Sequence, residues 1–238
     1  MRINVFISAS GYCSRRAAER LVASGEVKIN GLIAEKNSLV EEKDIVQVND
    51  EVIELTNDKD YIILNKPVGI TCTGLSTVEG NIIDFVNYPK RLFPIGRLDK
   101  DSEGLIILTN DGPIAHKILH SEHGHEKEYI VTVDQPIDDD FINGMSNGVL
   151  IGNVLTKKCK VSMIDEFTFR IILTQGLNRQ IRKMAKNFGY NVVKLQRIRI
   201  MNIHLENLEI GKWRHLTDLE LNLLKEQLKE EEENENFN

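Results

Sequence analysis

The sequence predicts an α+β chain with a small unit of its own at the N-terminus. Two observations carry this. Strand-like and helix-like runs are interspersed along the 238 residues without the strict alternation that a doubly wound sheet requires. An acidic polar stretch over residues 41–60, ending in LTNDKD, separates a first hydrophobic pattern from the rest. The boundaries drawn are 1–52 for the small unit, 53–60 for a linker, 61–228 for the main domain and 229–238 for an acidic disordered tail.

In the small unit, Ser14 is placed to cap a helix running to about Ser24, with Ala17, Ala18, Leu21 and Val22 as its apolar stripe. VKINGLIA follows as two short strands joined by Asn30-Gly31, a strong hairpin signal. YIILNKPVGI then gives a buried strand running into a Pro-Gly turn. Further strands are predicted at 105–109, 129–133, 167–173, 192–195 and 197–203. After Asn178, Ile181, Met184, Ala185 and Phe188 recur at helical spacing until Gly189 stops the run. The capping box Thr217-x-x-Glu220 opens a last helix packed by Leu221, Leu224 and Leu228, which is expected to dissolve into the tail.

Composition excludes several classes. At 41% hydrophobic and 28% charged, this is an ordinary globular chain, with no apolar run near the roughly 18 residues of a membrane span. MRINVFISASGYC does not read as a signal peptide. Cys13, Cys72 and Cys159 are odd in number and form no C-x-x-C pair, which points to a reducing cytoplasm and away from a disulfide or zinc framework.

The net charge of −6 is unevenly spread. The last fourteen residues, KEQLKEEEENENFN, contribute −4 of it. Residues 167–205 hold no carboxylate and eight cations: Arg170, Arg179, Arg182, Lys183, Lys186, Lys194, Arg197 and Arg199. Such a stretch is an electrostatic footprint suited to phosphates, or else a solvated basic face. Arg15, Arg16 and Arg20 occupy the first two turns of the capped helix, where the macrodipole disfavours cations, so a ligand is one reason for them.

The densest segment is PIGRLDKDSEGLIILTNDG, residues 94–112. DKDSEG resembles the start of a calcium loop, but position twelve is Asn110 where a bidentate Glu is required. His116, His120, His123 and His125 suggest a zinc alternative, with no cysteine near them. A plain Arg97–Asp99 salt bridge is the third reading.

GRLDKDSEGLIILTN resembles the signature of the ribosomal-RNA pseudouridine synthases, in the branch typified by RsuA. Residues 1–50 are similar to an S4 RNA-binding domain, through VFISASGYCSRRAAERLVASGEVKING. YIILNKPVGI, HEKEYIVTV and QGLNRQIRKM with VVKLQRIRI are similar to the successive motifs of the catalytic domain. HEKEY, TKKCKV and GLNRQIRKM are most similar to the RluF subgroup, whose substrate is 23S rRNA.

The resemblance implies an S4 domain followed by a catalytic domain on a mixed, mostly antiparallel sheet. It implies an isomerase that breaks N1–C1′ of a uridine, turns the base and rejoins it through C5, with no cofactor and no metal. Asp99 matches the carboxylate that attacks or deprotonates the ribose. Arg182 matches the cation that keeps it ionised, Tyr129 the residue stacked on the base, and Leu195 an apolar wall. Arg97 matches the arginine filling the gap left by the flipped nucleotide. Lys127, Arg179, Lys183, Arg15, Arg16 and Arg20 are expected on the RNA, and Asp101 is expected to be a bystander. The expected partner is a 23S rRNA stem-loop, free or in a pre-ribosomal particle and with tRNA left open, met by a monomer in the cytoplasm. Ser102 stands where many relatives have Thr, and the acidic tail replaces a basic one.

Overall fold

A computed structural model describes residues 1–55, 58–75, 77–119 and 124–235, with side chains as far as residue 229. Its contacts divide the chain into two compact units. One comprises Met1–Asp60 with Tyr88–Phe93 and Thr109–Gly112; the other comprises Tyr61–Asn87, Pro94–Leu108 and Pro113–Asn238. The stretch read as a linker is tied down within the first unit. Lys90 Nζ meets Asp58 and Asp60 at 2.6 and 2.8 Å. Thr109 Oγ1 donates to the Asp60 carbonyl at 2.6 Å, and Asp60 N donates to Asn110 Oδ1 at 2.9 Å.

The first unit holds α1 (Ile3–Ala9), α2 (Arg15–Ala23) and strands β1 (Val27–Ile29), β2 (Leu32–Ile33), β3 (Val46–Val48) and β4 (Glu51–Ile53). The strands order as β2-β1-β3-β4. Ser14 caps α2 as expected, its side chain accepting from Ala17 N at 3.2 Å. Asn30 and Gly31 both have positive φ, 53° and 80°, which the two-residue turn between β1 and β2 demands. Ile3, Phe6, Ile7, Ala18, Val22 and Val27 close the core. The sequence reading leaves α1 unassigned, because INVFISA is short and rich in β-branched residues, and its helical period rests on only Asn4 and Ser8 opposite Ile3, Phe6 and Ile7.

The rest of the chain runs β5 (Tyr61–Lys66), α3 (Ile82–Val86), β6 (Phe93–Pro94), β7 (Glu103–Thr109), α4 (Gly112–Leu119), β8 (Lys127–Val133) and α5 (Asp139–Ser146). There follow β9 (Leu150–Ile151), β10 (Val154–Leu155), β11 (Lys160–Asp165), β12 (Thr168–Leu173), α6 (Gln180–Asn187), β13 (Val192–Ile200), β14 (Ile203–His204), β15 (Trp213–His215) and α7 (Asp218–Glu235). Apart from the β9–β10 hairpin, these strands form one nine-stranded sheet with the path β11-β12-β8-β13-β7-β5-β15. β13 runs parallel to β7 and antiparallel to β8, and β12 runs antiparallel to both β8 and β11. β5 and β7 are buried at every residue, their apolar centres at 61–64 and 105–108 as expected and with them the polar Asn65, Lys66, Glu103 and Thr109 at the strand ends.

Two expectations need correction. The strands predicted at 192–195 and 197–203 are one strand, β13, whose register against β8 shifts at Val192/Lys194 and Arg197/Arg199. The irregularities fall at Val193 and Ile198, Gln196 and Arg197 stay paired with Ile130 and Tyr129, and the chain turns only at Met201, where φ is 51°. The tail expected to be disordered from residue 229 is helical as far as Glu235, since a Glu- and Lys-rich run without Gly or Pro continues a helix once a cap has started it. That cap is the predicted box: Glu220 N donates to Thr217 Oγ1 at 3.2 Å, and Thr217 N donates to Glu220 Oε2 at 2.8 Å. Among the described residues no helix is long and apolar enough to cross a membrane.

Candidate active site

Asp99 lies in the loop leading from β6 into β7, and three contacts fix that loop. Ser102 N donates to the Asp99 carbonyl at 3.1 Å, and Gly69 N donates to the Lys100 carbonyl at 2.7 Å. Leu98 N donates to Cys72 Sγ at 3.4 Å. The Pro67–Ile70 turn that supplies Gly69 is shaped by Lys66, whose fully buried ammonium donates to the Pro67 and Ile70 carbonyls at 2.8 and 3.0 Å. Burial pushes Lys66 below its ordinary range.

Gly104, the second residue of β7, is required by packing. A Cβ there would lie 2.3 Å from the Arg197 carbonyl oxygen, and its φ of +107° suits glycine alone. That close approach brings β13 against β7, with Arg197 opposite Gly104. The next strand, β8, sets Tyr129 opposite Arg197 and Lys127 opposite Ile200.

These elements surround a cavity of about 560 Å³ lined by Arg97, Asp99, Lys127, Tyr129, Arg179, Arg182, Leu195 and Arg197. Seven of the predicted site residues therefore come together: Asp99, Tyr129, Arg182, Arg97, Leu195, Lys127 and Arg179. Lys183 lines a second cavity of about 410 Å³, with Lys186, Arg179 and Arg182. Arg15, Arg16 and Arg20 lie exposed on α2, in the first unit.

The arginines pair differently from the expectation. The cation that reaches Asp99 is Arg179, at 3.7 Å. Arg182 is engaged elsewhere: its Nη1 donates to the Val192 carbonyl at 3.0 Å and its Nη2 to the Asp101 carbonyl at 2.9 Å. Its Nε lies 3.5 Å from Asp101 Oδ2. Asp101 is no bystander, because Arg179 also grips it with both Nη atoms at 3.0 and 2.8 Å. That hydrogen-bonded pair, reinforced by Arg182, holds the Asp101 carboxyl below the usual carboxylate range. Arg179 caps α6 with a left-handed φ of 51°, a conformation that a non-glycine residue keeps when its side chain is fixed.

On the opposite wall, burial and then Arg197 push the Lys127 ammonium down to about 8. Arg197 is 3% exposed, and its presence in the cavity was not legible in the sequence, where it is one cation among eight. That carboxylate-free run is neutralised largely in space. Arg170 and Arg199 pair with Glu128, Lys194 with Glu103, and Arg179 and Arg182 with Asp101. Lys183, which donates to Asn178 Oδ1, and Lys186 stay exposed on α6.

Asp99 and Asp101 thus face arginines, the opposite of a calcium loop. Among the described residues no group of three or more His, Cys, Asp or Glu is placed to hold a metal. His120 and His123 of the zinc alternative lie outside the described residues.

A family model described as RNA pseudouridylate synthase matches residues 60–187, and an S4 domain model matches residues 1–52. The chain is 54% identical to the dual-specificity RNA pseudouridine synthase RluF of Escherichia coli K12, over 93% of this chain and 77% of that protein. It is 32% identical to ribosomal small subunit pseudouridine synthase A of Haemophilus influenzae, over 94% and 99% of the two chains. A crystal structure of a pseudouridylate synthase superimposes with a TM-score of 0.69 at 31% identity, covering 94% of this chain and 99% of that one.

Proposed function

The chain belongs to the RNA pseudouridylate synthase family, and from that premise we propose a substrate for it and a task for each residue of the cavity. The chain is an isomerase acting on RNA, with an S4 domain at its N-terminus. The observation that carries the assignment of roles is the meeting of Asp99 and Tyr129, from separate elements, in one electropositive cavity.

The target uridine leaves the stack and enters with its ribose toward Asp99 and its base along Tyr129 and Leu195. Arg97, exposed beside Asp99, takes the place the base vacated. Asp99 acts on the sugar by adding to C1′ or by taking a proton from C2′, with the Arg179 guanidinium 3.7 Å from its carboxylate. Tyr129 stacks on the detached base and assists loss of the C5 proton. Arg182 is a positioning residue, tying α6 to the Asp99 loop through the Asp101 carbonyl and to β13 through Val192. Lys127, Arg179 and Lys183 meet the RNA around the cavity, and Arg15, Arg16 and Arg20 meet it from the S4 domain.

The substrate we propose is a stem-loop of 23S rRNA, modified by a single copy of the chain, free or in an assembling ribosomal particle. The relative at 54% identity is named dual-specificity, which supports a second RNA as an alternative substrate. Carbodiimide mapping of rRNA and tRNA from a deletion strain tests the substrate: loss of one pseudouridine in 23S rRNA is expected, and an unchanged 23S map refutes the assignment. Asp99→Asn tests the chemistry. Tritium release from 5-tritiated uridine in the mapped RNA should fall to background while RNA affinity holds or rises, since one negative charge beside the phosphates is gone.

A further inference from the structure

Arg197 poses an energetic problem that the tasks above leave unsolved. Its guanidinium is 3% exposed, and no ion pair involves it among the described residues. Nε donates to the Leu105 carbonyl at 2.7 Å, and Nη1 has a long contact of 3.5 Å to the Arg97 carbonyl. Nη2 is buried with no hydrogen-bond partner. A buried cation without a counter-charge is expensive, and a core strand position would be filled more stably by an apolar residue. Lys127 aggravates the cost: it lines the same cavity from the neighbouring strand, and its ammonium spends one bond on the His125 carbonyl at 3.3 Å. Two cations on one wall are therefore held without a carboxylate between them, across a cavity whose other charged features are already paired or exposed.

The reaction supplies what that wall lacks. When N1–C1′ breaks, the bonding pair leaves with the base, and uracil becomes an anion whose charge is spread over N1, O2 and, through the C5=C6 bond, C5 and O4. Meanwhile C1′ is held as an ester of Asp99, or as a glycal with the C2′ proton on Asp99. The anion must persist until C5 turns to face C1′. Then the C5=C6 pair forms the C5–C1′ bond as the C1′–O bond of the ester breaks and frees the Asp99 carboxylate, or as Asp99 returns its proton to C2′ of the glycal; C5 releases its proton, and N1 takes one up. Resting on the pseudouridine synthase reading, we propose that Arg197, with Lys127 beside it, is the cationic wall that stabilises the detached uracil anion. The alignment fits: Arg197 stands opposite Tyr129 across the β8–β13 pair, so the residue on which the base stacks and the unneutralised guanidinium share one level of the sheet. A fixed charge in a site that excludes water is worth most where charge develops.

The test varies how much help the departing base needs. Single-turnover loss of the target nucleoside is measured on the mapped stem-loop carrying either uridine or 5-fluorouridine at the target. Fluorine makes the base a weaker base and a better leaving group, so it depends less on an external cation. Arg197→Met should slow uridine about a hundredfold or more and 5-fluorouridine about tenfold or less. Arg197→Lys, which keeps the charge and loses the fork, should recover most of the uridine rate; should the Met variant not fold, its defect should likewise be larger on uridine. Equal slowing of the two substrates overturns the proposal, because a merely structural loosening of the Asp99 loop is blind to the fluorine. A wild-type protein inactive on uridine would instead refute the underlying reading.

Discussion

Single residues in the cavity differ in how far the sequence revealed them. Asp99, Tyr129, Arg97 and Leu195 were legible because each stands in a contiguous motif, whereas the pairing of the cations was not. Which carboxylate an arginine meets is decided by loop and helix placement, and spacing along the chain does not encode it. Asp101 shows the consequence. Its carboxylate carries two arginines of α6, so Asp101→Asn should lower turnover roughly ten- to a hundredfold through ångström-scale misplacement of Arg179 and Arg182. Its effect on stability should stay within about 1 kcal/mol, since the pair is half exposed. Steady-state tritium release with a parallel melting curve separates the two. Lys127 offers a pH readout. Its charge is present below pH about 8 and lost above, so kcat/KM should decline on an alkaline limb near that value. Lys127→Arg should carry the limb upward out of the measurable range, and a limb that stays put would dissociate Lys127 from catalysis.

Elements were readable where periodicity and a cap or turn coincided, as in α2, α6, α7 and the Asn30-Gly31 hairpin. They were missed where length was short or period mixed, as in α1 and the β9–β10 hairpin, whose turn glycine Gly152 has φ of 63°. The capping box of α7 does more than start a helix. Arg214 from β15 grips Glu220 with both Nη atoms at 2.8 Å, so one carboxylate serves the cap and a link to the sheet edge. That link, with the Thr217 bonds, pulls Glu220 from an ordinary 4.5 down to about 2. The folded value lies below the unfolded one, so the stabilisation is complete above pH 4.5 and is lost as pH falls toward 2. At about 1.4 kcal/mol per unit the contribution is about 3 to 4 kcal/mol at most. Glu220→Gln should therefore lower Tm at neutral pH and flatten the acid limb of the stability curve. Thermal melts of both proteins from pH 7 to pH 2.5 measure this, and parallel curves would show that α7 docks without the pair.

At the scale of the whole molecule, net charge and RNA binding look opposed until the charges are located. Of the net −6, the last fourteen residues supply −4, and five of the eight cations in residues 167–205 meet carboxylates from elsewhere in the fold. Sequence-independent affinity must then come from cations that meet no carboxylate among the described residues. Lys183 and Lys186 on α6 are two of these. Arg15, Arg16 and Arg20 are three more: all are exposed on α2, Arg15 and Arg16 in its first turn, where the helix N-terminus disfavours them, and Arg20 in its last. Replacing the three arginines by Gln in the full chain should leave Tm within about a degree, because exposed side chains without partners contribute little to folding. The dependence of log K on log salt should flatten by about 2, at about 0.7 for each lost single-strand phosphate contact. Removing the residues beyond Lys229 should leave that slope unchanged, since those glutamates repel phosphate. Anisotropy titrations of the target stem-loop from 50 to 300 mM salt would decide it, and a slope unaltered by the triple substitution would place the RNA-holding charges entirely on the catalytic domain.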